Sequence, residues 1–316
     1  MISIPTVLVL GAGASTHCGY PLGRELVAQL SRLRGTPELD DMPVGWDHDR
    51  VFRFLTKLSR SDPSSIDAFL ETNREDGALG RYLIARQLKQ QEIVDRLFPP
   101  HDAGWYRHLF DQLLVDGLPR FDRNALSIVT FNYDRSLEAY FYTRLQARFE
   151  LGEGEARRVL NQLPIMHVHG VLGEFSEHPY RTSTDSDELL AISRKIQIIH
   201  ELHDPESDFC NDLFRHAHDK LVAAERIYFL GFGFHRDNLR RFQFFTPDNT
   251  AGKLLRATTW GYGSIDLAAL RTSLLEMGFP ADAFNSYGCN EFFNYVASLV
   301  VSDNCSGVTG MKNARS

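Results

Sequence analysis

Cysteine is scarce in this chain: Cys18, Cys210, Cys289 and Cys305 are the four among 316 residues, all far apart. That spacing excludes a disulfide framework and supplies no C-x-x-C pair from which a zinc module is built. No apolar run reaches the roughly 18–20 residues that cross a bilayer. There is no lysine and arginine block, and the net charge is −7. Nucleic-acid binding, which normally needs a clustered basic surface, therefore has little support. The N-terminus lacks the basic region of a signal peptide, and its apolar run feeds straight into a glycine turn, as a first core strand does. Together these absences predict a cytoplasmic protein with no membrane segment.

What is present is ordinary globular material, 43% hydrophobic and 24% charged, so most of the chain is expected to fold. Apolar runs at Thr6–Leu10, Ala125–Phe131, Ile165–Val168, Arg226–Leu230 and Leu254–Thr259 read as strands. Helical periodicity covers Leu22–Leu33, Asp49–Val115, Asp134–Phe149, Ala191–Ala224, Asp237–Phe244, Leu267–Met277 and Asn290–Val300. Ser64 or Ser65 supplies a helix cap ahead of Asp67. Pro179–Asp187 is polar and turn-rich, a mobile loop by this reading. Strands alternating with helices predict an α/β fold, a Rossmann-like open parallel sheet flanked by helices. The expected organisation is one domain over 1–304, with a helical insertion at about 36–120 and a flexible polar tail at 305–316.

Four segments couple a strand to small or polar residues just past its C-terminal end, where ligands bind in an open parallel sheet. The first is Gly11, Ala12, Gly13, Ala14 and Ser15, whose glycines let the backbone approach a diphosphate at a helix N-terminus. Thr16 stands where a dinucleotide fingerprint has its last glycine, and no acidic residue closes a second strand about 20 residues on. A hydride-transfer domain is disfavoured, and a ligand-free tight turn is the alternative. In the second, two-residue periodicity sets Asn132 and Asp134 on one side, able to hold a ribose, a carboxamide or a water. Asp134 as a plain helix cap is the other reading. In the third, His167 and His169 share one face of a strand end, as a base, as metal ligands, or with His167 as a packed core residue. In the fourth, Gly231 and Gly233 suit contact with sugar or phosphate, and Phe232 and Phe234 either flank a base or pack in the core. His200, His203, His216 and His218 read as solvated helix faces.

As an ordered set these segments resemble the sirtuin-like superfamily, and more closely its zinc-free branch of NAD hydrolases in bacterial anti-phage defence. The resemblance rests on the first glycine turn followed by Gly19, Tyr20 and Pro21, on Asn132 and Asp134, on His169 and Gly170, and on Gly231–Gly233. The phrase Ser64 to Glu71 is similar to that branch's helical insertion, which stands here in place of a zinc module. The resemblance implies NAD+ as substrate, no metal, and hydrolysis of the nicotinamide N-glycosidic bond to nicotinamide and ADP-ribose. It implies that Asn132 positions water and ribose, Asp134 holds the nicotinamide end, and His169 acts as base. Gly11, Ala12, Gly13 and Ser15 would cradle the diphosphate, with Gly231, Phe232 and Gly233 alongside. A homo-oligomer working with an ATPase or another defence protein is the assembly it implies. A non-catalytic NAD or ADP-ribose sensor is the main alternative; a deacylase or a metallohydrolase ranks below it.

Overall fold

The computed structural model describes residues 1–36, 39, 42–43, 45–99, 104–198, 208–234, 239, 244–276, 278–295 and 299. Strands β1 (Thr6–Leu10), β2 (Leu126–Thr130), β3 (Ile165–His167), β4 (Arg226–Leu230), β5 (Leu254–Thr258) and β6 (Phe284–Asn285) form one sheet in the order β3-β2-β1-β4-β5-β6. Every pairing is parallel. The fold is thus a Rossmann-like α/β sheet. The chain builds outward from β1 to β3, then returns to the other side of β1, so strand order reverses between β1 and β4. That reversal opens a crevice at the strands' C-terminal ends.

Alternation along β1 explains the two cores. Leu8 and Leu10 face one apolar cluster, Val7 and Val9 the other, and all four are buried. The first cluster joins β1 and β2 to helices α1 (Gly23–Arg32), α2 (His48–Ser61), α3 (Ile66–Thr72), α4 (Gly77–Lys89) and α5 (Tyr106–Leu113). Four of these, α2 to α5, fill the insertion between β1 and β2, where the sequence predicts helix alone. Ser65 caps α3 by accepting from the Ala68 N–H at 3.1 Å, and Asp47 caps α2 by accepting from that of Arg50 at 2.6 Å.

Helices α6 (Ser136–Phe149), α7 (Glu153–Leu160), α8 (Ser186–Ser193), α9 (Asp208–Ala223), α10 (Pro247–Thr250), α11 (Ser264–Glu276) and α12 (Cys289–Tyr295) complete the described α-helices. Sequence periodicity misses α7, which buries only Ala156 and Leu160 on a charged helix, and β6, which is two residues long. The helix expected at Asp237–Phe244 falls mostly outside the described residues, as do the tail at 305–316 and the end of the helix expected at Asn290–Val300. No helix among the described residues is long and apolar enough to cross a membrane.

The loop expected to be mobile is instead tied down. Glu92 lies fully buried between Lys89 and Arg135, and Arg135 grips its carboxylate with Nη2, which reaches the two oxygens at 2.7 and 2.8 Å, and with Nε at 3.0 Å. The same cations hold the loop's carbonyls: Arg135 donates to His178 at 2.7 Å and Lys89 to Pro179 at 3.2 Å. Gln90 adds a bond to the Ser183 carbonyl at 2.7 Å. Buried charges persist only when paired and fully hydrogen-bonded, so this hub fastens the insertion, the loop and the head of α6 together.

Candidate functional site

The glycine turn after β1 and the glycine turn after β4 interlock backbone against backbone. Gly11 N–H donates to the Leu230 carbonyl and Gly13 N–H to that of Gly231, each at 3.0 Å. A Cβ on Gly13 would sit 2.8 Å from the Gly231 Cα, and one on Gly231 would sit 2.1 Å from the Ala14 nitrogen. Gly231 also has a φ of +57°, where a side chain is strained. The closeness that these glycines permit is therefore already used between the two turns. Within the first turn, Ala14 N–H returns to the Gly11 carbonyl at 2.9 Å and Ser15 N–H to that of Ala12 at 3.2 Å. Its accessible rim is Ala12, Gly13, Gly231 and Gly233, while Ser15 and Phe232 are buried.

Just past β2, Asn132 and Asp134 turn to the same side, as two-residue spacing predicts. The Asn132 amide donates to the Gly11 carbonyl at 3.0 Å and to the Ser15 hydroxyl at 3.1 Å. Both its hydrogens are so committed, and what this amide can offer a ligand is its Oδ1 acceptor. Asp134 accepts from the Ser136 N–H at 3.0 Å and from the Ser136 hydroxyl. It therefore caps the start of α6 and lines the site at once. Burial raises the Asp134 carboxyl above its ordinary value, against the hydrogen bonds from Ser136 and Ser15. Ser15, Asn132, Asp134, Glu138 and His167 border a cavity of about 10 Å³, beside Thr130 and Tyr106. That is the size of a single water site. A larger hollow of about 500 Å³ is a trough on the outer face of α2, lined from Phe52 to Ser61. All of its lining comes from one helix, so it has no convergent groups and is not the site.

The two histidines part company, contrary to the shared face the sequence suggests. His167 ends β3 and turns toward Asn132 and Glu138. The chain then reverses: Gly170 N–H donates to the His167 carbonyl at 3.1 Å, and Gly170 takes a φ of +81°. A Cβ there would lie 1.9 Å from the Lys195 carbonyl oxygen, so the turn and the strand segment over it demand glycine. Two-residue alternation stops with the strand, and His169 swings to the opposite flank. It is buried there, its ring 5.1 Å from Phe131 and 6.0 Å from Phe214. Phe131 in turn meets Phe232 at 4.9 Å, and Phe232 meets Phe234 at 5.2 Å. Both of these phenylalanines are core residues in this structure.

The structure thus brings Gly11, Ser15, Asn132 and Asp134 into one hydrogen-bonded cluster and sets Gly231 and Phe232 against it. His169 packs instead against the rings of Phe131 and Phe214. Sequence reasoning missed several contributors. Trp105 donates its indole N–H to the Ala14 carbonyl at 2.8 Å, and the Tyr106 hydroxyl meets that of Ser136 at 2.6 Å. The insertion therefore forms the floor of the site, a contact across 91 positions that no local pattern announces. Glu138 carried a signal, an acid in the first turn of the helix that follows Asp134. Half-buried His17 packs edge-on against Tyr106 at 4.5 Å, and desolvation lowers its imidazole to about 4 despite a hydrogen bond to Ala14. Among the described residues, no three His, Cys, Asp or Glu side chains gather as a metal-binding group. His216 is exposed and His218 half-buried, while His200 and His203 lie outside the described residues. No protein-family model matches the chain, and no curated protein matches its sequence.

Proposed function

We propose that the chain is an NAD+ hydrolase of the sirtuin-like, zinc-free type, cleaving the nicotinamide N-glycosidic bond. The observation that carries this reading is the convergence of the two glycine turns with Asn132 and Asp134 at the strand-order reversal. That crevice is where open α/β sheets take nucleotides. In the reaction, water and NAD+ give nicotinamide, ADP-ribose and a proton. Nicotinamide leaves as a neutral molecule, so the pocket must steady a ribose that becomes cationic and admit one water. The rim of Ala12, Gly13, Gly231 and Gly233 offers backbone to the diphosphate. Asn132 Oδ1 accepts from a ribose hydroxyl or the water, and the Asp134 carboxylate lies on the side where positive charge develops. His169 serves as base once its ring leaves the Phe131–Phe214 packing on ligand binding. In this reading the protein is a regulated, NAD-depleting defence effector, homo-oligomeric, and paired with an ATPase or another defence protein.

The test is release of nicotinamide from NAD+ by the purified chain. Asn132→Ala and His169→Ala, checked for folding, should each lose on the order of 10²–10⁴ in rate. Full activity in both variants refutes the site. The internal hydrogen bonds of the first turn favour one second reading, a sensor that binds without turnover. Tight ADP-ribose binding with no nicotinamide release, even in the activated assembly, identifies that case.

A further inference from the structure

His167 is a residue of the sequence motifs to which the proposed chemistry gives no task. Both of its ring nitrogens nevertheless have defined partners. Nδ1 lies 2.9 Å from the Asn132 carbonyl oxygen, and Nε2 lies 2.6 Å from Glu138 Oε1. A backbone carbonyl can only accept, so a hydrogen must sit on Nδ1. A carboxylate also accepts, so a second hydrogen must lie between Nε2 and Oε1. The geometry therefore requires two hydrogens across the pair. A neutral imidazole facing an ionised carboxylate has only one, and would turn a lone pair toward one of the two acceptors, both of them partly buried.

The geometry points to His167 as the positioning residue of this site: with Glu138 it fixes Asn132, and through Asn132 the first glycine turn. The chain of contacts is continuous. Glu138 on α6 holds His167 at the end of β3, and His167 holds the Asn132 carbonyl at the end of β2. The Asn132 amide then holds Gly11 and Ser15. Three strand ends are registered against each other by a single imidazolium. The ionisable groups facing it are Glu138 from α6, Asp134 from the loop after β2, and Tyr106 from α5, which borders the same cavity. Burial alone would lower this imidazole. The charge and hydrogen bond of Glu138, with the Asn132 carbonyl and the Asp134 charge, outweigh burial and raise it. A group that orients the residue touching substrate acts on turnover more than on affinity, since a small misplacement costs on the order of 10²-fold in rate.

The kinetic part of this inference rests on the NAD+-cleaving reading, so the deciding experiment has a readout that does not. In the ¹⁵N-labelled full chain, histidine ring resonances are followed against pH, with His167→Gln assigning the signal. His167 should be doubly protonated near neutral pH, and Glu138→Gln should return it to a neutral ring there. A ring that is neutral in the wild type, or one that ignores Glu138→Gln, overturns the inference whether or not the chain cleaves NAD+. With turnover, Glu138→Gln should lower kcat about tenfold to a hundredfold, leave ADP-ribose affinity unchanged and move the alkaline limb of the rate profile to lower pH. An unchanged limb and kcat reduce His167 to a packing role. Absent turnover even in the activated assembly defeats the hydrolase reading, and the ring titration still decides this one.

Discussion

Past β1, β2 and β3 the sheet edge carries Ser15, Asn132, Asp134 and His167, each bonded to another polar group within the protein. Past β4 the same edge carries Phe232 and Phe234, which pack with Phe229, Phe279 and Phe284 into an aromatic cluster. Both halves are buried, but they resist change differently. In the polar half every group is the partner of a named neighbour, so removing one strands another in a medium where it costs free energy. In the aromatic half contacts are many, individually weak and interchangeable. Chemistry that needs defined donors and acceptors belongs to the first half, and the second supplies the wall it rests on.

The sharpest way to break this comparison is at the hub behind the polar half. Glu92→Ala leaves Lys89 and Arg135 buried without their anion and should cost about 3–5 kcal/mol in denaturant unfolding. Replacing all three by apolar residues of similar volume should restore most of that loss. A cheap Glu92→Ala would show that the polar half is not held by its pairs. The next largest effect is expected where the halves meet. Gly231→Ala forces a side chain into a positive-φ position against the Ala14 nitrogen, at a cost of about 1–3 kcal/mol for strain alone. It should also pry the two glycine turns apart and abolish ADP-ribose binding, measured by calorimetry.

On the aromatic side the expected effect shrinks. Phe229→Leu keeps an apolar side chain amid Phe232, Phe234, Phe245 and Phe279 and should cost no more than about 1.5 kcal/mol. Thermal unfolding of the two single variants side by side gives the ratio directly. A Phe229→Leu loss equal to that of Glu92→Ala would erase the distinction between the halves.

The difference between the halves also decides what could be read in advance. Strands β1 to β5, the first turn, the Ser65 cap and the pairing of Asn132 with Asp134 are local, and residue spacing suffices for them. The interlock of Gly11 and Gly13 with Gly231 is not local: the glycines are visible, but the ligand-like neighbour they accommodate is another part of the chain. The shared face predicted for His167 and His169 failed because alternation holds only while a strand lasts, and β3 ends at His167. Trp105 and Tyr106 under the glycine turn, and Glu92 under the loop, depend on the insertion folding back over the sheet. That is a property of tertiary packing and has no signature in spacing.

The smallest effect expected is also the one that separates charge from shape in the polar half. His167 is raised in the folded chain above its ordinary value of 6.5. The stability it contributes is fully present below that unfolded value and is lost as pH rises through the folded one. Asp134, raised by burial, has the same sign, so the wild-type curve alone does not identify the source. The comparison that does is with Glu138→Gln, which keeps the shape of the side chain and removes the charge that raises His167. Unfolding free energy measured for both proteins from mildly acid to mildly alkaline pH should converge as pH rises, because the wild type loses an ion pair that the variant never had. Phe229→Leu, on the other half of the edge, should stay parallel to the wild type over the same range. If the Glu138→Gln curve also runs parallel, the imidazole carries no charge in the folded protein and its contacts are those of shape alone.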